Sequence, residues 1–283
     1  MPVFLVATSK NNVIKANWMV KRLHDRSTFF YPGLGSGKFV NYLYHKMARK
    51  HTISGFSVVL FWVLLTSCNE TGKTPSTEPA AKTVSTLAFD VVATHPHDTS
   101  SYTQGLVIYK GQLYEGTGQY GASALLKIDL PSGRSLQRTA LDRAYFGEGI
   151  TILNDTIYQL TWKEQKIFVY DLSFKKIRTH NIDKEGWGLT NNGKELILTN
   201  GSGDLFFYEP RQMQLLRVQT VTEAGSPSFN LNELEFVDGY VYANQYTYPY
   251  VLKIDPATGE VVAKADLSRL WEQCRQLYSN TEV

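Results

Sequence analysis

The chain has 283 residues, with 29 Lys+Arg against 26 Asp+Glu, so its formal net charge is +3. Hydrophobic residues at 43% and charged residues at 19% make an ordinary globular mix, which excludes a wholly disordered chain and suits one large domain or two small ones. Two Cys exclude a disulfide framework, and there is no CxxC for a structural zinc. Seventeen Tyr and fourteen Phe favour strands.

The charge is uneven. Residues 1–68 hold nine Lys/Arg and a single acid, Asp25, while the remainder holds 20 basic and 25 acidic residues, a net of −5. A body of that sign lacks the basic face that neutralises phosphates, so a nucleic-acid partner is not expected.

In chain order, the first readable element is an address. Arg49 and Lys50 precede a ten-residue apolar segment, Phe56–Leu65, which closes on Leu65-Thr66-Ser67-Cys68. Ten residues are too few to span a bilayer, which takes roughly 20, but they suit a signal-peptide core. The Leu-Thr-Ser-Cys box resembles a bacterial lipoprotein cleavage site. Residues 47–67 therefore read as a lipoprotein signal peptide, with lipid expected on Cys68, and residues 68–86 as a Thr/Ser/Pro/Lys tether. The expected location is the bacterial cell envelope, anchored by lipid with the body outside the cytoplasm. Met47 gives the signal a normal length. Residues 1–46 are thus expected to be an upstream extension from a misassigned start; a long basic n-region is the alternative.

The body, residues 87–283, repeats one pattern four times. A turn leads into a hydrophobic strand at Leu113-Tyr114, Ile157-Tyr158, Leu196-Ile197 and Val241-Tyr242. About a dozen residues later a second strand ends in an acid: Asp129, Asp171, Glu209 and Asp255, spaced 42, 38 and 46 residues apart. A strand precedes each unit, at Gly105–Tyr109, Gly149–Leu153, Trp187–Thr190 and Leu234–Val237, and another follows each acid. Four strands per period of roughly 40–45 residues is the signature of a β-propeller. Two pieces are left over: an orphan strand at Phe89–Ala93, and a helix-like stretch, Leu270–Leu277, in an otherwise irregular tail that holds the lone Cys274. The orphan strand implies a further blade. The expectation is an all-β, five-bladed propeller with four blades complete in this chain and the last mostly missing.

In a propeller the start of each inner strand faces one mouth of the channel. Those positions carry Gln104, Phe146, Glu148, Glu185, Trp187, Asn232 and Glu233; the second strands add Trp162 and Asn244 with Tyr246. The set is carboxylates, amides and indoles, which is not a metal-ligand set; no metal or other cofactor is implied. His95-Pro96-His97 reads as a loop pair. Glu148, set between Gly147 and Gly149, would be desolvated with a raised pKa, which suits a general acid/base.

At these residues the sequence resembles the plant and bacterial glutamine cyclotransferases, five-bladed-propeller glutaminyl-peptide cyclases. The matching stretches are Tyr102–Leu106, Tyr114–Gly121, Tyr145–Thr151, Leu160–Lys163, Glu185–Thr190, Leu231–Glu235 and Tyr242–Asn244, in order along nearly all of the body. The resemblance implies cyclisation of an N-terminal Gln to pyroglutamate with loss of ammonia and no required metal, an aminoacyltransferase reaction. It also implies Glu148 as the proton shuttle. Gln104, Phe146, Trp162, Trp187, Asn232 and Asn244 would bind substrate, with Glu185 and Glu233 secondary. The partners implied are peptides with N-terminal Gln, and a monomer is expected. The family continues with a last blade carrying an Asn-Gly-Ile stretch and a Thr-Gly-Lys-Trp stretch that this chain does not contain, so weak activity is expected of these 283 residues alone. The rival reading is an envelope-anchored propeller that binds without catalysing.

Overall fold

The computed structural model describes residues 3–9, 12–16 and 83–279, the first two segments through their backbone only. The signal segment 47–67, Cys68 and nearly all of the tether lie outside the described residues.

Four antiparallel four-strand units follow one another in a propeller arrangement. Blade I is Thr103–Tyr109, Gln112–Thr117, Ala124–Asp129 and Arg134–Ala140; blade II is Gly147–Leu153, Thr156–Thr161, Lys166–Asp171 and Lys176–Asn181. Blade III is Leu189–Asn191, Leu196–Leu198, Asp204–Tyr208 and Leu215–Thr220; blade IV is Leu231–Val237, Tyr240–Gln245, Tyr250–Ile254 and Val261–Asp266. A short strand, Ser85–Thr86, adds in parallel to the outer strand of blade IV.

Burial explains why the sequence repeats. The inner strand of blade II is buried at every position, whereas the outer strands Arg134–Ala140 and Lys176–Asn181 are mostly exposed. An inner strand has a neighbouring blade on each face and needs apolar or small residues throughout; an outer strand faces solvent. The core is therefore a series of layers between blades. Tyr114 and Leu125 of blade I pack on Ile150, Ile157 and Phe168 of blade II. Leu160 and Val169 of blade II meet Leu189, Leu198 and Phe206 of blade III. Ile197, Leu205 and Phe207 of blade III meet Leu234, Val241 and Leu252 of blade IV.

The recurrent acids are turn caps. Asp171 Oδ1 accepts from Ser173 N (2.9 Å) and Lys175 N (3.0 Å), and Glu209 accepts from Arg211 N (2.9 Å) and Gln212 N (2.7 Å). Asp129 and Asp255 likewise accept from Ser132 N and Ala257 N. A side-chain acceptor at this position satisfies turn amides that the ladder cannot reach.

The structure sharpens three local readings. The helix-like C-terminal stretch is a helix, Ser268–Ser279, and Cys274 lies in it rather than in irregular chain. The helix covers the far face of blade IV, where Leu270 and Cys274 pack with Tyr242, Val251 and Ala265; burial pushes the Cys274 thiol up to about 11. The orphan strand, Asp90–His95, has a partner: Val3–Ser9 pairs with it antiparallel and with Asn12–Ala16 on its other side. An open strand edge offers a row of unpaired N–H and C=O groups, and strand addition satisfies them. Finally, His97 lies in the loop after Asp90–His95, as read, and is buried there. Its Nε2 lies 3.0 Å from Glu115 Oε1, to which the Thr103 hydroxyl also donates at 2.5 Å.

Candidate active site

Four of the residues singled out in the sequence, Gln104, Glu148, Asn232 and Glu233, share one backbone device. In blade I, Thr103 pairs with Thr117 and Gly105 with Gly116, leaving Gln104 as an extra residue in the ladder. In blade II, Gly147 pairs with Thr161 and Ile150 with Gln159, so Glu148 and Gly149 face one residue. In blade IV, Leu231 pairs with Gln245 and Leu234 with Ala243, so Asn232 and Glu233 together lie opposite Asn244. The inner strands of blades I, II and IV thus carry a β-bulge at their starting ends, at Gln104, Glu148 and Asn232–Glu233, whereas that of blade III pairs in regular register. A bulge bends the strand and re-aims a side chain that the regular pleat would place between blades.

Packing draws these strands together. Gly149 is in close contact with blade III: an added Cβ would lie 2.7 Å from Trp187 O and Leu189 N, and 2.9 Å from Glu233 Oε2. Gly149 N donates to Trp187 O (2.8 Å), so Glu148, Trp187 and Glu233 come from three blades into one neighbourhood. Thr199 ties blade III to blade IV; its hydroxyl accepts from Gly188 N (2.9 Å) and donates to Asn232 O (2.6 Å). Gly118 admits both the Phe146 ring and the Gln104 stem, each of which would lie under 3 Å from a Cβ there.

Phe146 anchors an aromatic group, edge-on to Trp162 at 5.5 Å and to Tyr120 at 5.4 Å. Trp162 Nε1 donates to Glu185 Oε2 (2.9 Å), and Trp187 is edge-on to Tyr246 at 5.5 Å. Gln104, Glu148, Asn232 and Asn244 are buried, Gln104 at 3% and Glu148 at 6% exposure. The buried polar atoms here that have no hydrogen-bond partner in the structure include Gln104 Oε1, an acceptor, and Trp187 Nε1, a donor. Buried polar groups are almost always satisfied, so such a pair is suited to a ligand carrying an N–H and a C=O.

Sequence reading missed Tyr120 and Glu164 as neighbours of the site. The Tyr120 hydroxyl donates to Glu164 Oε1 (2.7 Å), and Glu164 Oε2 accepts from Phe146 N (3.2 Å). Partial burial, the bond to Glu164 and the charges of Glu164, Glu148 and Glu185 push the Tyr120 phenol up to about 12. Glu164 lies one residue beyond the Leu160–Lys163 stretch, a proximity that only blade packing reveals. Among the described residues, no group of three or more His, Cys, Asp or Glu is placed to hold a metal ion.

The glutamine cyclotransferase family model matches residues 61–283. The chain belongs to this family. The glutaminyl-peptide cyclotransferase of Arabidopsis thaliana is 36% identical to the cyclotransferase-family chain over 186 residues, which cover 64% of the chain and 58% of the plant protein. Less than two thirds of that relative's length is therefore represented. The crystal structure of Myxococcus xanthus glutaminyl cyclase superposes with a TM-score of 0.61 at 33% identity, covering 67% of this chain and 79% of that one.

Proposed function

We propose that the chain is a glutaminyl-peptide cyclotransferase that converts the N-terminal Gln of peptides to pyroglutamate. The α-amine nitrogen attacks the side-chain amide carbon, the carbon–nitrogen bond to the amide nitrogen breaks, and ammonia leaves. One proton passes from the attacking amine to the departing nitrogen. Glu148 carries that proton in this reading, as a base on attack and an acid on departure. The acyl group thus moves between two nitrogens of one residue, an aminoacyl transfer. Enclosure favours it, because a five-membered ring requires the amine to be held against the amide carbon.

The single observation supporting this reading is the pair of unsatisfied buried atoms on Gln104 and Trp187, on segments that pack next to the strand carrying buried Glu148. Gln104 Oε1 suits the substrate's amide N–H, and Trp187 Nε1 suits its carbonyl. Phe146 and Trp162 would wall the ring-closing atoms from water, and Asn232 and Asn244 would hold the peptide's polar groups. Glu185, bonded to Trp162, acts as its positioning residue, and Glu233 supports the Glu148 strand through Gly149. The deciding experiment is ammonia release from a Gln-Gln peptide, with and without a chelator. Glu148→Gln is expected to lower turnover by about 10² or more, the usual scale for removing an acid/base group, with an unchanged circular-dichroism spectrum. A folded Glu148→Gln with full turnover rejects the shuttle, and peptide binding without ammonia release favours a binding module.

The proposal extends to location. The Leu65-Thr66-Ser67-Cys68 box supports lipid attachment at Cys68 and a place on the cell envelope outside the cytoplasm. Cys68→Ser is expected to move the protein from the membrane to the soluble fraction.

A further inference from the structure

The polar residues of the candidate site are buried, but one ring packed against Phe146 is not. Tyr120 is 50% exposed, although its edge meets Phe146. The turn that carries it is held firmly. Ala122 N and Ser123 N donate to Gln119 O at 2.9 and 2.8 Å. The Ser123 hydroxyl accepts from Gln119 N (2.8 Å) and from Gly147 N (3.0 Å), which joins the turn to the residue before Glu148. At its far end the ring is fixed by the hydroxyl bond to Glu164, whose other oxygen holds Phe146 N. Tyr120 is therefore a surface aromatic fixed at both ends, with ring area left to solvent. A ring already held in place loses little freedom when a ligand packs on it.

A peptide substrate dictates what reaches this ring. Consecutive Cα atoms are about 3.8 Å apart, so with the N-terminal Gln enclosed beside Glu148, the next side chain lies one residue outward. The geometry points to Tyr120 as the subsite for the residue that follows the N-terminal Gln, a flat platform favouring an aromatic second side chain over glycine. This rests on the cyclotransferase reading and adds a selectivity to it. Charges around the ring have both signs. Glu164, Glu148 and Glu185 act on the phenol, the Arg143 guanidinium lies beside Gly121, and Lys163 covers the Trp162 ring at 4.2 Å. Packing, not charge, is thus the discriminating contact.

The test uses the full chain as wild type, Tyr120→Ala and Tyr120→Phe. Cyclisation is measured on Gln-Phe-amide and Gln-Gly-amide. Binding is measured by tryptophan fluorescence with pyroglutamyl-Phe-amide and pyroglutamyl-Gly-amide, which cannot react further. Wild type is expected to favour the Phe peptides roughly tenfold in both kcat/KM and Kd, the scale of one aromatic contact with its buried area. Tyr120→Phe keeps most of that ratio, and Tyr120→Ala brings it within about twofold of unity. Equal preference in wild type, a ratio that survives Tyr120→Ala, or no binding of pyroglutamyl-Phe-amide overturns the subsite. If no Gln peptide is cyclised, the activity reading fails alone, and the pyroglutamyl ratios still decide the subsite.

Discussion

Removing the Glu115 carboxylate tests how the start of blade I is held. The His97 and Glu115 side chains are 1% and 0% exposed, and Glu115 Oε1 accepts from Thr103 while lying 3.0 Å from His97 Nε2. Glu115→Ala takes that acceptor from two buried groups at once. A buried polar group that loses its partner costs about 1–3 kcal/mol, and here the Thr103 hydroxyl and the His97 ring lose theirs together. About 2–6 kcal/mol is therefore expected, a large share of the roughly 5–15 kcal/mol that holds a domain folded. At about 2–4 °C per kcal/mol for a domain of this size, the melting temperature falls by about 4–24 °C in calorimetry or thermal circular dichroism. Glu115→Gln keeps a carbonyl acceptor and should lose less than half as much. A Glu115→Ala protein melting within about 2 °C of wild type refutes the reasoning, because the pair would then contribute nothing beyond its packing.

Two further outcomes follow from the geometry. Gly149→Ala would drive a methyl group into Trp187 O, Leu189 N and the Glu233 carboxylate, so blades II and III must separate; a loss of about 1–3 kcal/mol in urea melts and a fall in turnover are expected. The turn acids set the acid limit. Bonds to Ser173 and to the amides of Arg211 and Gln212 hold Asp171 and Glu209 below the usual carboxylate range. A depressed folded pKa adds stability above the unfolded value and loses it as pH falls through the folded one, so the decline begins below about pH 4. Asp171→Asn with Glu209→Gln should flatten that decline in urea melts between pH 5 and 2; an unchanged acid slope would contradict the capping role.

The blades were legible because their cause is local. A strand sandwiched between two others must be apolar on both faces, and a tight turn needs an acceptor at its first residue, so both features recur at a fixed spacing. Glu148 was legible for a related reason: a lone acid between glycines in an otherwise apolar strand stands out. The Tyr120–Glu164 bond and the His97–Glu115 pair were not, since each joins residues 44 and 18 apart whose approach no periodicity encodes. Nor could the partner of Asp90–His95 be read, because any strand can satisfy an open edge and the sequence pattern around residues 3–16 names no target.

By itself the sequence determined the repeating unit, the uneven charge between residues 1–68 and the acidic remainder, and the strand starts that carry Gln104, Glu148, Asn232 and Glu233. Only the tertiary structure decided which way those side chains are aimed. Pleating fixes a regular alternation, and three bulges break it where blades crowd together; a bulge is a mismatch between two paired strands, so it belongs to neither strand's sequence alone. The same holds for the helix over blade IV, whose cover depends on a face that exists only once the blade has formed.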